Sequence, residues 1–103
     1  MNGSWLPVEP VSGAFIVNIR DMFEVLTNGR YRSIEHRAVV EPKEERLSIA
    51  AFQFPNIDTM IGPLKEMTAH EDDAYKTLDL ESFMKIFATK LEGKNFLEQM
   101  KLN

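Results

Sequence analysis

The chain has 103 residues, of which 44% are hydrophobic and 27% charged, with a formal net charge of −4 at pH 7 and no cysteine. That length allows one small domain with a modest core, and the balance is that of a globular rather than a disordered chain. The acidic balance argues against a nucleic-acid surface, which works by neutralising phosphates, and the lack of thiols excludes a disulfide framework, a zinc–thiolate site and a cysteine nucleophile.

The N-terminal MNGSWLPVEP has neither a basic region ahead of an apolar core nor an arginine-rich amphipathic pattern. No apolar run reaches bilayer length, so the expectation is a protein without a membrane segment, in the cytoplasm by default. Pro7 and Pro10 bias 5–11 toward extended backbone, and Ser12-Gly13 reads as a turn. The apolar run 14–19 has strand length and predicts a strand buried on both faces, in a sheet interior. Asp21 and Glu24 have the spacing of a capping box, and Asn28-Gly29 supplies a left-handed stop, which together predict a two-turn helix over 22–27.

Segments 33–40 and 46–54 are rich in β-branched and apolar residues, and the intervening 41–45 carries a proline and four charges, so the pattern predicts a β-hairpin. With Val40 opposite Arg46, the even positions Ile34, His36, Ala38, Val40, Arg46, Ser48, Ala50 and Phe52 share one face. That face is mostly apolar but carries an imidazole, a guanidinium and a hydroxyl. No acidic residue lies on it, and an unpaired internal cation is costly, so a ligand carboxylate could be the partner of Arg46, with Ser48 adding a donor; the local pattern equally allows a solvent-exposed Arg46 paired with Glu44 or Glu45. His36 lies about 13 Å along the strand from the level of Arg46, and its imidazole could ligate a metal. The span suits a short dicarboxylate reaching from one to the other.

Beyond Phe54, residues 55–77 hold two prolines, a glycine and several acids, and read as a surface connection with one short strand near 59–61. Leu80, Phe83, Met84, Phe87 and Leu91 recur at helical spacing, with Thr77 or Asp79 as the start and Gly93 as the stop. Phe96, Leu97 and Met100 continue into a second helix. The sequence His70-Glu71-Asp72 has a metal-ligand spelling, but it sits in an acidic, turn-like connection and reads as a solvated face.

The run Asn28-Gly29-x-Tyr31-x-Ser33-x-x-His36-Arg37, followed by Arg46-x-Ser48, resembles the C-terminal half of the plant 2-oxoglutarate and iron(II)-dependent dioxygenases, the isopenicillin N synthase-like superfamily. The resemblance extends through Trp5, Pro7, Val8, Pro10 and 13–21 upstream, and through Gly62-Pro63-Leu64 to Gly93-Lys94 downstream. It implies a mainly β fold with C-terminal α-helices, a partial double-stranded β-helix or jelly roll. Residues 1–64 would belong to the β-helix core and 65–103 to a connection and terminal helices. It implies His36 as the second histidine of a two-histidine, one-carboxylate Fe(II) site, and Arg46 with Ser48 as the grip on 2-oxoglutarate. The implied chemistry is hydroxylation, demethylation or desaturation of a small organic substrate with dioxygen.

In this family a His-x-Asp strand precedes the equivalent of His36, and the chain shows no counterpart to it. Two alternatives therefore stand beside the enzyme: a catalytically inactive fragment or paralogue, and an unrelated small β-rich interaction module. On the family reading the chain alone is expected to be inactive, and exposed sheet edges are expected to drive self-association. At position 20 the family usually has glycine, so Arg20 would be strained if the backbone there had positive φ.

Overall fold

The computed structural model describes residues 3–92 and 95–102. The first regular element is α1 (Asp21–Leu26), then β1 (Met60–Ile61), β2 (Leu78–Asp79), α2 (Leu80–Ala88), a 3₁₀ turn (Thr89–Glu92) and α3 (Phe96–Met100). Strands β1 and β2 pair antiparallel, Met60 with Asp79 and Ile61 with Leu78. Their close approach requires glycine at position 62, where a Cβ would lie 2.0 Å from Thr77 Oγ1.

Helix α2 starts where its sequence signals place it. The Asp79 carboxylate accepts from the Ser82 N–H at 2.8 Å and from its hydroxyl at 2.9 Å. These bonds, the backbone one first, hold the Asp79 carboxyl below its ordinary range. Leu80, Met84 and Phe87 turn to the protein interior around Phe83, as the 3.6-residue spacing requires. Helix α3 is capped by Asn95, whose side chain accepts from Glu98 N. The expected stop at Gly93 lies outside the described residues.

The core is Val25, Ile61, Tyr75, Phe83, Phe96 and Met100, drawn from α1, β1, the 74–76 segment, α2 and α3. Phe96 meets Phe83 edge-on at 4.9 Å between ring centroids and Phe87 at 5.5 Å. The C-terminal strand-like end is tied back by Lys76 N donating to Met100 O at 2.7 Å and Leu102 N to Ala74 O at 2.9 Å. Leu64 N donates to Leu26 O at 3.0 Å, so the residues after β1 are fastened to the end of α1.

The extended parts differ from the sequence expectation. Among the described residues, 14–19, 33–40 and 46–54 form no strand ladder, and the hairpin with Val40 opposite Arg46 is not closed. The bend at 42–44 is present, with Lys43 N donating to the Glu41 carboxylate, but the arms on either side are not paired. The run 14–19 is not buried on two faces: Phe15 is 97% exposed. Parity leaves no mark either, since Val39 and Val40 are 76% and 88% exposed. Alternation is expressed only when a sheet packs against another layer, and among the described residues these arms have no such layer. The radius of gyration, 16.2 Å, exceeds the roughly 13 Å expected for a packed domain of this length. Arg20, at φ −111°, is extended and unstrained.

Candidate functional site

Helix α1 ends in a Schellman motif. Gly29 N donates to Glu24 O and Asn28 N to Val25 O, with Asn28 at φ 53° and Gly29 at φ 84°. This is the physical content of the Asn28-Gly29 pair. Asn28 does more: its Nδ2 donates to Asp72 O at 3.1 Å and to the Glu71 carboxylate, and its Oδ1 accepts from Ala74 N at 2.7 Å. The His70-Glu71-Asp72 loop is thereby docked on the helix end, with Arg30 also beside Glu71 at 3.8 Å. Tyr31 packs its ring near Phe23, 5.8 Å between centroids.

The next two motif positions reach the site. Ser33 N donates to Glu24 Oε2 at 2.5 Å, and Glu24 Oε1 accepts from the Tyr75 hydroxyl at 2.7 Å. Glu24 and Tyr75 are both buried, at 4% and 3% exposure. Burial first, and then the bond to the Glu24 carboxylate, push the Tyr75 hydroxyl up to about 12. The sequence assigned Glu24 to a capping box; instead Arg20 takes the N-cap position without a side-chain bond, and the Asp21 carboxylate pairs with Lys90. No local signal marked Glu24 as internal, since its flanking Phe23 is itself 44% exposed. Tyr75 carried a weak one, a lone aromatic in an acidic loop.

From Ser33 the chain runs along an open cleft of about 740 Å³ bordered by Trp5, Asp21, His36, Lys90, Asn95 and Phe96, among others. His36 is exposed, and its Nδ1 lies 3.1 Å from Ile34 O. A carbonyl only accepts, so Nδ1 carries the proton in the neutral ring and Nε2 keeps its lone pair. Ligating histidines commonly have their second nitrogen held this way. The guanidinium of Arg37 stacks over Trp5, 4.2 Å from the ring centroid, and that of Arg20 over Phe52 at 4.9 Å. Arg46 and Ser48 are exposed and are not among the described residues bordering the His36 cleft.

A model of the family described as the 2OG-Fe(II) oxygenase superfamily matches residues 1–55, more than half of the chain. The chain belongs to this superfamily. Among its relatives, S-norcoclaurine synthase 1 of Coptis japonica is 50% identical over 95% of this chain, and 2-oxoglutarate-dependent dioxygenase 11 of Oryza sativa subsp. japonica is 42% identical over 99%. Codeine O-demethylase of Papaver somniferum is 43% identical over 95% of the chain. The chain spans only 28% to 29% of the length of these relatives. Membership removes the unrelated interaction module from consideration.

The superfamily implies Fe(II) and 2-oxoglutarate. The chemistry of His36 fits one coordination position, an imidazole whose Nε2 keeps its lone pair when Nδ1 donates to Ile34 O. Among the described residues no group of three His, Cys, Asp or Glu side chains lies together to hold an ion. Asp21 borders the same cleft, but its carboxylate is engaged by Lys90. The residues present therefore fit one donor of a metal set, and the histidine and carboxylate of the superfamily's His-x-Asp strand are not matched among the described residues.

Proposed function

We propose that this chain is the C-terminal portion of an Fe(II)- and 2-oxoglutarate-dependent dioxygenase that hydroxylates, demethylates or desaturates a small organic metabolite in the cytoplasm, with dioxygen as co-reactant. The fold of the complete protein would be a jelly roll, with 1–64 contributing part of its double-stranded β-helix and 65–103 a connection and terminal helices. His36 would be one metal ligand; Arg46 and Ser48 would grip the distal carboxylate of 2-oxoglutarate. Bound iron would supply the redox chemistry, while this chain's residues hold and orient. The observation that carries the reading is His36 at the cleft with Nδ1 tied to Ile34 O, inside the stretch matched by the superfamily.

Two measurements test it. Titrated with 2-oxoglutarate, the chain is expected to bind weakly, with binding abolished by Arg46→Ala and weakened by Ser48→Ala; binding indifferent to Arg46 would refute the grip. A chimera joining the preceding part of codeine O-demethylase to this chain is expected to release succinate when given Fe(II) and 2-oxoglutarate. Release that survives His36→Ala in that chimera would refute the ligand assignment.

A second reading, that the chain on its own is catalytically inactive, is favoured by the absence, among the described residues, of three His, Cys, Asp or Glu side chains placed together to hold an ion. No succinate release is expected from it without the preceding part. We propose in addition that the isolated chain self-associates. Its accessible surface is 9211 Å², against roughly 6,000 Å² for a folded monomer of 11.9 kDa. The excess is several times the roughly 800 Å² that each partner buries in a standard interface, and the exposed residues include Phe15, Val17, Leu47 and Ile49. Sedimentation is expected to show mass rising with concentration; a single monomeric species throughout would overturn this. On the described residues, no helix is long and apolar enough to cross a membrane.

A further inference from the structure

We infer that Glu24 is a positioning residue for His36: its buried carboxylate clamps the Ser33 amide and so fixes the direction in which the next three residues carry the imidazole into the cleft. The inference rests on the reading of His36 as the metal-side residue for its significance, though not for its geometry. The Glu24 side chain is held at both oxygens, one by Ser33 N and the other by the Tyr75 hydroxyl, 51 residues away in sequence. Its backbone carbonyl closes the Schellman motif with Gly29, so the same residue sets both the end of α1 and the course of the chain after it.

The alternative supports for 33–36 are few. Ser33 is half-buried, while Ile34, Glu35 and His36 are exposed, and the hydrogen bond of His36 is local, to Ile34 O. A bond from His36 to its own second neighbour orients the ring relative to the strand but not the strand relative to the protein. Trp5, through Arg37, is itself more than half exposed. The bond of Ser33 to a buried charged acceptor, itself anchored in the core by Tyr75, is therefore the strongest connection between the histidine and the packed body. At about 3.3 Å per residue, His36 is within about 10 Å of that clamp.

The test uses the whole 103-residue chain and three variants, read by NMR. In the parent chain the Ser33 amide is expected to resist hydrogen exchange and the His36 ring to show contacts to the side chains of Asn95, Phe96 or Leu97 across the cleft. Glu24→Ala is expected to speed Ser33 exchange by about tenfold or more and to erase the ring contacts. Glu24→Gln retains an acceptor oxygen and is expected to restore both. Tyr75→Phe, which removes the anchor but leaves the Ser33 bond possible, serves as the stability control and is expected to keep the ring contacts. Ring contacts that persist in Glu24→Ala, or vanish equally in Tyr75→Phe, would overturn the proposal. Should Glu24→Ala not fold, Glu24→Leu, which fills the space without an acceptor, decides instead: ring contacts that persist in it with an intact core overturn the proposal. Added Ni(II), read at the amides of Glu35 and Arg37, separates the two ideas: broadening there that is unchanged by Glu24→Gln but lost in His36→Ala supports the donor, whereas broadening that survives His36→Ala refutes the donor and leaves the exchange and contact data to judge Glu24.

Discussion

Replacing Gly62 by alanine should be among the most damaging single-methyl changes in this protein. An added Cβ would stand 2.0 Å from Thr77 Oγ1, 2.7 Å from Thr77 Cβ and 2.9 Å from Thr77 Cα, where ordinary contacts begin near 3.4 Å. The first of these could be relieved by rotating a side chain; the last involves backbone and requires β1 and β2 to separate by roughly half an ångström. That separation would strain both ladder pairs, Met60 with Asp79 and Ile61 with Leu78, and would loosen Ile61, which is fully buried against the aromatic core. Overpacking of this kind costs about 1–3 kcal/mol, and the backbone component places Gly62→Ala near the upper end.

Urea unfolding followed by circular dichroism, at a concentration where one species sediments, measures it. With a slope of about 1.5 kcal/mol per molar for so small a protein, the midpoint should fall by on the order of 2 M. The three distances also predict an order among double variants. Thr77→Ala removes only the hydroxyl and methyl and should rescue Gly62→Ala slightly, because Cβ remains; Thr77→Gly removes Cβ too and should rescue more, but not fully, because Cα remains. A Gly62→Ala protein within about 0.5 kcal/mol of the parent, or full rescue by Thr77→Ala, would show that the strands do not approach as described.

Two further expectations concern the core. Tyr75 is protonated more firmly in the folded state than in the unfolded one, where its hydroxyl titrates near 10.0. Its contribution to stability is therefore complete below pH 10 and is lost as pH rises toward about 12; Tyr75→Phe should flatten that dependence while costing about 1.5–3 kcal/mol at neutral pH for the bond to Glu24. Phe96→Ala removes the ring that joins Phe83 and Phe87 and should cost about 3–5 kcal/mol in the same unfolding assay, whereas Phe15→Ala, at a 97% exposed position, should change it little.

What could be read from the letters was what depends on near neighbours. Asp79 followed by Ser82, the 3.6-residue recurrence through Phe87, and the left-handed Asn28-Gly29 stop are local signals, and each sits where its signal put it. The short strand near residue 60 was also legible, but its partner and the clearance between Gly62 and Thr77 were not, since a 15-residue contact leaves no periodic trace. The capping-box reading of Asp21 and Glu24 failed because partners 69 and 51 residues away claimed both carboxylates. The hairpin failed for a different reason. Residue parity states which face a strand would bury, and nothing in 33–54 states that a second layer is there to bury it. The site residues divide along the same line: His36 borders a cleft made by helices of this chain, while Arg46 and Ser48 lie on the unpaired arm.

That division yields a last expectation. Ser33 is fixed to a buried carboxylate, so the three residues to His36 give at most about 10 Å of chain in which to wander; the thirteen to Arg46 give more than 40 Å. On the proposed reading, the metal side of the site would be set by packing inside this chain, and the carboxylate side by strands of the complete jelly roll. Hydrogen exchange on the chimera with the preceding part of codeine O-demethylase tests this directly. Amides of 46–54 should pass from unprotected in the chain to protected in the chimera, as ladder bonds form, while Ser33 should be protected in both. Equal gains at Ser33 and Ser48 would mean that Glu24 does not hold the first segment on its own. Protection of 46–54 already present in the isolated chain would mean that the hairpin closes without a neighbouring layer.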